Sequence, residues 1–159
     1  MTGSLSQTAN SPDETDLIDP RAVEFFGNDY YVVDAITDRV IALPADGSDR
    51  SVLSDQNANA IMFDDPVDMV SRDADLDPDL VDGRLYVLDR GRGEIIEVRV
   101  DDGARTVVGT GLTDAVAMVF NADDDNSVAE ILVLDKGVNK ILSLDPVSYT
   151  HLRAHETPV

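Results

Sequence analysis

Three stretches of this chain share one hydrophobic pattern. YYVVD (30–34), LYVLD (85–89) and ILVLD (131–135) are each an apolar run closed by Asp, and five positions after that Asp a second apolar run begins: RVIAL (39–43), EIIEV (94–98) and KILSL (140–144). Short apolar runs bounded by Gly, Asp and Asn predict strands joined by turns. The first run of each pair is apolar on both faces: Tyr31 and Val33 oppose Val32, Tyr86 and Leu88 oppose Leu85 and Val87, and Leu132 and Leu134 oppose Ile131 and Val133. A strand apolar on both faces must be covered on both sides. The second run is more one-sided, with Ile41/Leu43, Ile96/Val98 and Leu142/Leu144 on one face and Ala42, Glu97 and Ser143 interrupting the other.

The pattern extends outward. AVEFF (22–26), PVDMV (66–70) and AVAMVF (115–120) precede the three pairs, and Gly-containing turns with a further strand, ADGSDRSVL (45–53) and DDGARTVV (101–108), follow the first two. Each unit is therefore four strands, a to d, and the third stops after its strand c. The Asp positions stand 55 and 46 residues apart (89 − 34 and 135 − 89), stretched by polar inserts at 71–83 and 121–130. Without the inserts the period is about 43, the scale of one propeller blade. No amphipathic helical segment of useful length interrupts this all-β grammar. The expected fold class is all-β: a partial β-propeller with two complete four-stranded antiparallel blades plus most of a third. Its blades span about 19–55, 64–109 and 114–146, after a polar, disordered tail at 1–18.

The units resemble blades of NHL-type and gluconolactonase-like propellers, which read roughly P-x-apolar, G-x-LYVxD, x-RIxxL and DG. The matching residues are Pro66, the run Gly83-Arg84-Leu85-Tyr86-Val87-Leu88-Asp89, the run Glu94-Ile95-Ile96-Glu97-Val98, and Asp102-Gly103. Where NHL blades place an Arg after the b–c turn, this chain has Arg39, Glu94 and Lys140. The resemblance covers about 19–146. It implies a ring of further blades, because propellers use about four to eight. Either the natural protein continues or copies associate.

VSYTHLRAHET (147–157) resembles the translated end of a transposase-based sequencing adapter. The expectation is that 147–159 is a non-native tail, cut in near Pro146, and that the remaining blades of the same chain are missing. Processing scars are set aside in fold reasoning. Both histidines, His151 and His155, lie in this tail, so their metal-like spacing is discounted.

Composition narrows the chemistry. The net charge is −20, with 32 acidic residues against 12 Lys and Arg, and there is no Cys. Such a surface repels nucleic acid and anionic membranes and suits basic partners, divalent cations or high salt. Its Asp-rich, Lys-poor balance resembles proteins of salt-loving microbes. The absence of Cys excludes thiolate sites and disulfides. The amino terminus has no signal-peptide features, which points to the cytoplasm if that start is authentic.

Candidate chemistry is sparse. Asp34, Asp89 and Asp135 could form a carboxylate ring, but one device repeated at one place reads better as a turn lock, with Asp accepting nearby backbone N–H groups. Asp73, Asp75, Asp77 and Asp79 alternate as calcium ligands do, and Asp82 could join them. Pro78 and Arg84 stand where an EF-hand needs Gly and Glu, so only a looser calcium site is expected there, against the plainer reading of a solvated acidic insert. Asp123, Asp124 and Asp125 are contiguous and converge poorly. RGRG (90–93) could clamp an anion, although Gly for turn geometry is the plainer reading. Gly109-Thr110-Gly111 is not a phosphate loop, because no helix follows. Without His or Cys outside the tail, no nucleophile–base pair forms and no catalytic residue is assigned.

The leading expectation is a module that binds a protein or small-molecule ligand. A metal-dependent propeller hydrolase, lactonase or lyase is the alternative; by analogy alone, Glu24, Asp68 and Asp114 would line its channel. A calcium-stabilised extracellular repeat is the third reading, with calcium as the one cofactor suggested.

Overall fold

A computed structural model describes residues 15–57, 60–72, 83–122, 129–145 and 153–154. Every regular element among them is a strand. The first unit contributes β1 (Pro20–Phe26), β2 (Asp29–Asp34), β3 (Arg39–Pro44) and β4 (Ser51–Ser54). The second contributes β5 (Pro66–Arg72), β6 (Arg84–Asp89), β7 (Glu94–Arg99) and β8 (Arg105–Thr110), and the third β9 (Ala115–Ala122), β10 (Ala129–Asp135), β11 (Lys140–Leu144) and β12 (Arg153–Ala154). They form three four-stranded sheets, each an antiparallel meander in chain order.

The sheet register repeats. Each strand-b Asp lies opposite the first residue of strand a (Pro20, Pro66, Ala115) and the first residue of strand c (Arg39, Glu94, Lys140). A register shift follows in all three a–b pairs, next to the Asp. The turn between b and c closes on a left-handed residue each time: Asp38, Gly93 and Asn139 have φ of 53°, 63° and 54°. Short polar Asp and Asn tolerate that conformation where Gly is the default.

The two cores lie between sheets. Tyr31, Val33 and Val40 of the first sheet meet Met69, Leu85, Val87, Ile96 and Val98 of the second, with Phe63 of the connection. Tyr86, Leu88 and Ile95 on the second sheet's other face meet Met118, Ile131, Val133 and Leu144 of the third, with Leu112. The central sheet is thus covered on both sides, as its b strand predicts. Each such side chain contributes about 1.5–3 kcal/mol when taken from water.

Two details differ from the sequence reading. Glu97, expected to break the apolar pattern of strand c, is buried with the guanidinium of Arg84 3.6 Å away. The third sheet has a fourth strand: Arg153–Ala154 pairs with Ser143 and Leu142. This short strand takes the outer edge of strand c, where an extended segment can add to unpaired backbone groups.

Candidate functional site

The b–c turns and the connections into the strands a share one end of the sheets, and each strand-b carboxylate organises its own section of that end. Asp34 Oδ2 accepts the N–H groups of Ile18 (2.6 Å) and Asp19 (2.7 Å), and Oδ1 accepts the N–H and hydroxyl of Thr37 (2.9 and 3.0 Å). Asp89 accepts the N–H groups of Asp64 (2.8 Å), Asp65 (3.0 Å) and Arg92 (3.1 Å). Asp135 accepts those of Thr113 (2.8 Å), Asp114 (3.0 Å) and Gly137 (2.9 Å). All three carboxylates are buried. Each ties together the chain entering strand a, the end of strand b and the following turn. Burial pushes the Asp34 and Asp135 carboxyls up, but the N–H groups aimed at them outweigh it and hold both below the ordinary range.

The residue after each Asp repeats the pattern. Ala35, Arg90 and Lys136 donate N–H to the carbonyls of Asp19, Asp65 and Asp114 at 2.9–3.0 Å. The side chains add ion pairs, Arg90 to Asp65 at 2.6 Å and Lys136 to Asp114 at 3.6 Å. Arg21 reaches Asp65 from the first sheet at 3.4 Å. On this frame Ile18, Ile36, Met62 and Val138 are exposed apolar side chains.

A buried network joins the first two sheets. Arg105 donates to Ser54 Oγ (2.9 Å), Asp38 Oδ1 (2.9 Å), the Asp38 carbonyl (2.7 Å) and the Ile61 carbonyl (2.7 Å), and its guanidinium lies 3.9 Å over the Phe63 ring. Burial lowers the Arg105 pKa, and Asp38 opposes that shift. The Phe63 N–H also donates to Asp38 Oδ1 at 2.7 Å.

No protein-family model matches the chain, and no curated protein matches its sequence. Solved structures do. A chain in the crystal structure of a nidogen/laminin complex aligns with TM-score 0.65 and 21% identity over 89% of this chain and 50% of its own length. Virginiamycin B lyase from Staphylococcus aureus aligns with TM-score 0.58 and 11% identity over 92% of this chain and 43% of its own. Together with the three repeated meanders, these alignments decide the fold. The three sheets are β-propeller blades. The chain spans half or less of the length of either neighbour.

Within the blades the expected residues take definite places. Asp34, Asp89 and Asp135 sit in three separate blades, each saturated by its own backbone donors, as the turn-lock reading holds. Their reach is wider than one turn, because each also binds the strand-a connection. Glu24 and Asp68 are spent on inter-blade bonds. Glu24 Oε1 accepts the N–H (3.1 Å) and hydroxyl (2.6 Å) of Ser71 on the next strand a, and Asp68 Oδ2 accepts the Met118 N–H (2.7 Å) on the one after. Arg90 and Arg92 of RGRG are paired with Asp65 and Glu94, the latter at 2.6 Å, rather than aimed together. Asp73, Asp75, Asp77, Asp79, Asp82, Asp123, Asp124, Asp125, His151 and His155 lie outside the described residues. Among the described residues no group of three acidic or His side chains is placed to hold a metal. The sequence reading missed Arg105. The available signal was that Arg50 and Arg105 both stand immediately before the strand-d positions Ser51 and Thr106, which pair with Ala42 and Glu97 at one register.

Proposed function

We propose that this chain is a binding module whose blades present the turn-bearing end to a protein partner, in the manner of NHL-type repeat proteins. One observation carries the reading: Ile18, Ile36, Met62 and Val138 are exposed on loops that the buried carboxylates hold in place. Apolar side chains on pre-ordered loops bind with little ordering cost. The −20 charge favours a partner that carries basic residues around its own apolar contact. The lyase alignment supports the fold alone, and the strand-a carboxylates that a channel enzyme would use, Glu24 and Asp68, are engaged between blades.

The test is affinity capture from extract of the source organism on immobilised chain, beside an Ile36→Glu/Val138→Glu variant with an unchanged circular dichroism spectrum. The expected outcome is a protein retained by the wild type and lost from the variant. Identical retained sets on both surfaces would reject this end as the binding site.

A further inference from the structure

The seam between the first two blades fixes more than their core. In the connection into β5, residues 61–64 alternate inward and outward. Ile61 packs against the apolar core and Phe63 is buried, whereas Met62 is 51% exposed and Asp64 is exposed. The backbone around them is held at successive groups. The Ile61 carbonyl accepts from Arg105 (2.7 Å), the Phe63 N–H donates to Asp38 Oδ1 (2.7 Å), and the N–H groups of Asp64 and Asp65 donate to Asp89.

The b–c turn of the first blade is held in the same way. The Ala35 N–H donates to the Asp19 carbonyl (3.0 Å) and the Thr37 N–H to Asp34 Oδ1 (2.9 Å), and Ile36 between them is 65% exposed. Two residues on, Asp38 accepts from Arg105 at its carboxylate (2.9 Å) and its carbonyl (2.7 Å). Arg105 thus clamps the Ile36 turn to the Met62 connection, and each loop presents one apolar side chain to water. Exposed apolar side chains grouped within a polar rim mark interaction sites.

The rim is acidic. Five carboxylates stand at this seam: Asp19, Asp34, Asp64, Asp65 and Asp89. Two guanidiniums answer them, Arg21 against Asp19 (2.7 Å) and Asp65 (3.4 Å), and Arg90 against Asp65 (2.6 Å), so five less two leaves three negative charges in excess. Asp34 and Asp89 are spent on backbone N–H groups. Asp64 differs: among the described residues no hydrogen bond or ion pair engages its carboxylate. That carboxylate lies against Gly91, where a Cβ would stand 2.5 Å from Oδ2. The bare glycine leaves Asp64 its place beside the second b–c turn.

We propose that this seam docks a segment of a partner protein in which an apolar side chain stands next to an arginine. The apolar side chain seats on Ile36 and Met62, and the guanidinium pairs with Asp64, whose two oxygens are both open to a forked donor. The excess negative charge supplies the complementarity, and the clamped backbone lowers the ordering cost. Docking here rests on the binding role proposed above, and Asp64 gives that role its selectivity.

The experiment probes labelled full chain against an array of short synthetic peptides with randomised flanks around a fixed Leu-Arg, Leu-citrulline or Gly-Arg pair. Citrulline keeps the shape of arginine and removes its charge. Leu-Arg peptides are expected to bind about tenfold more tightly than Leu-citrulline ones, the discrimination of one charge-assisted pair. Asp64→Asn keeps the backbone N–H that donates to Asp89 and is expected to abolish that preference. Ile36→Ser/Met62→Ser is expected to bring Leu-Arg binding down to the level of Gly-Arg. Val138→Glu, on the third blade, is expected to leave both readings unchanged. No array binding, equal binding of Leu-Arg and Leu-citrulline, or a preference that survives Asp64→Asn would overturn the proposal. An extract protein lost from the Ile36→Glu/Val138→Glu surface yet retained in full by Asp64→Asn would overturn the arginine docking alone and leave the binding role standing. Identical retained sets on all surfaces would remove both.

Discussion

At the scale of single residues, the strand-b Asp does more than close a turn. Asp89 is itself buried and satisfies three backbone donors from two segments. Asp89→Ala is expected to cost about 2–4 kcal/mol in urea unfolding, because three charge-assisted bonds are lost and the loop and turn they hold are released. Exposed Asp101 makes a useful contrast. The Arg99 guanidinium pulls its pKa down to about 2, yet its replacement is expected to change stability little, because solvent screens an exposed pair. The pH dependence follows from Asp34 and Asp135, whose folded pKa values lie below the ordinary 3.8. A depressed folded pKa contributes stability that is fully present above the unfolded value and is lost as pH falls through the folded one. The urea midpoint should therefore stay level from neutral pH down to about 5 and then decline. A midpoint unchanged down to pH 3 would remove this role from the carboxylates.

At the scale of the elements, the hairpin turns look alike in sequence but not in surroundings. Gly47 and Gly103 both occupy c–d turns with positive φ, 81° and 70°. A Cβ on Gly47 meets nothing within 4 Å, whereas one on Gly103 would lie 1.9 Å from the Leu53 carbonyl oxygen of the preceding blade. Gly47→Ala is expected to cost only the left-handed backbone penalty of about 1–2 kcal/mol. Gly103→Ala adds a clash with backbone that cannot step aside, and it displaces the carbonyl that accepts the Ser54 hydroxyl at 2.7 Å. Thermal melts of the two variants should separate clearly, and equal losses would show that the inter-blade approach is loose. The strand patterns, turn positions and repeated Asp were legible from the order of residues, since alternation and turn chemistry are local. The register of Arg50 with Arg105 was visible in principle, but its consequence was not. Whether a guanidinium is a solvated charge or a buried latch depends on which blade lies beside it.

At the scale of the whole molecule, the chain carries a net charge of −20, and its three blades are held by thin apolar seams. Self-repulsion opposes compaction and is screened by salt. The melting temperature should rise by several degrees from low to molar KCl, followed by circular dichroism at one protein concentration. A flat response would mean that the acidic surface does not strain the fold.

The sequence by itself determined that the chain is all-β, that its strands come in fours, and where each b strand ends, because these follow from hydrophobic period and from Asp as a local acceptor. Only the tertiary structure decided what the polar side chains do. Glu24 and Asp68 were channel-lining candidates by analogy alone, and they are bridges from one strand a to the next. Arg105 drew no attention along the chain, and it is the buried link between two blades. Leu134 and Val33 occupy one position in the repeat, yet one faces water and the other does not. The physical reason is the same throughout: a carboxylate, a guanidinium or an isobutyl group takes its role from what stands across the seam, and the seam joins residues far apart in the chain.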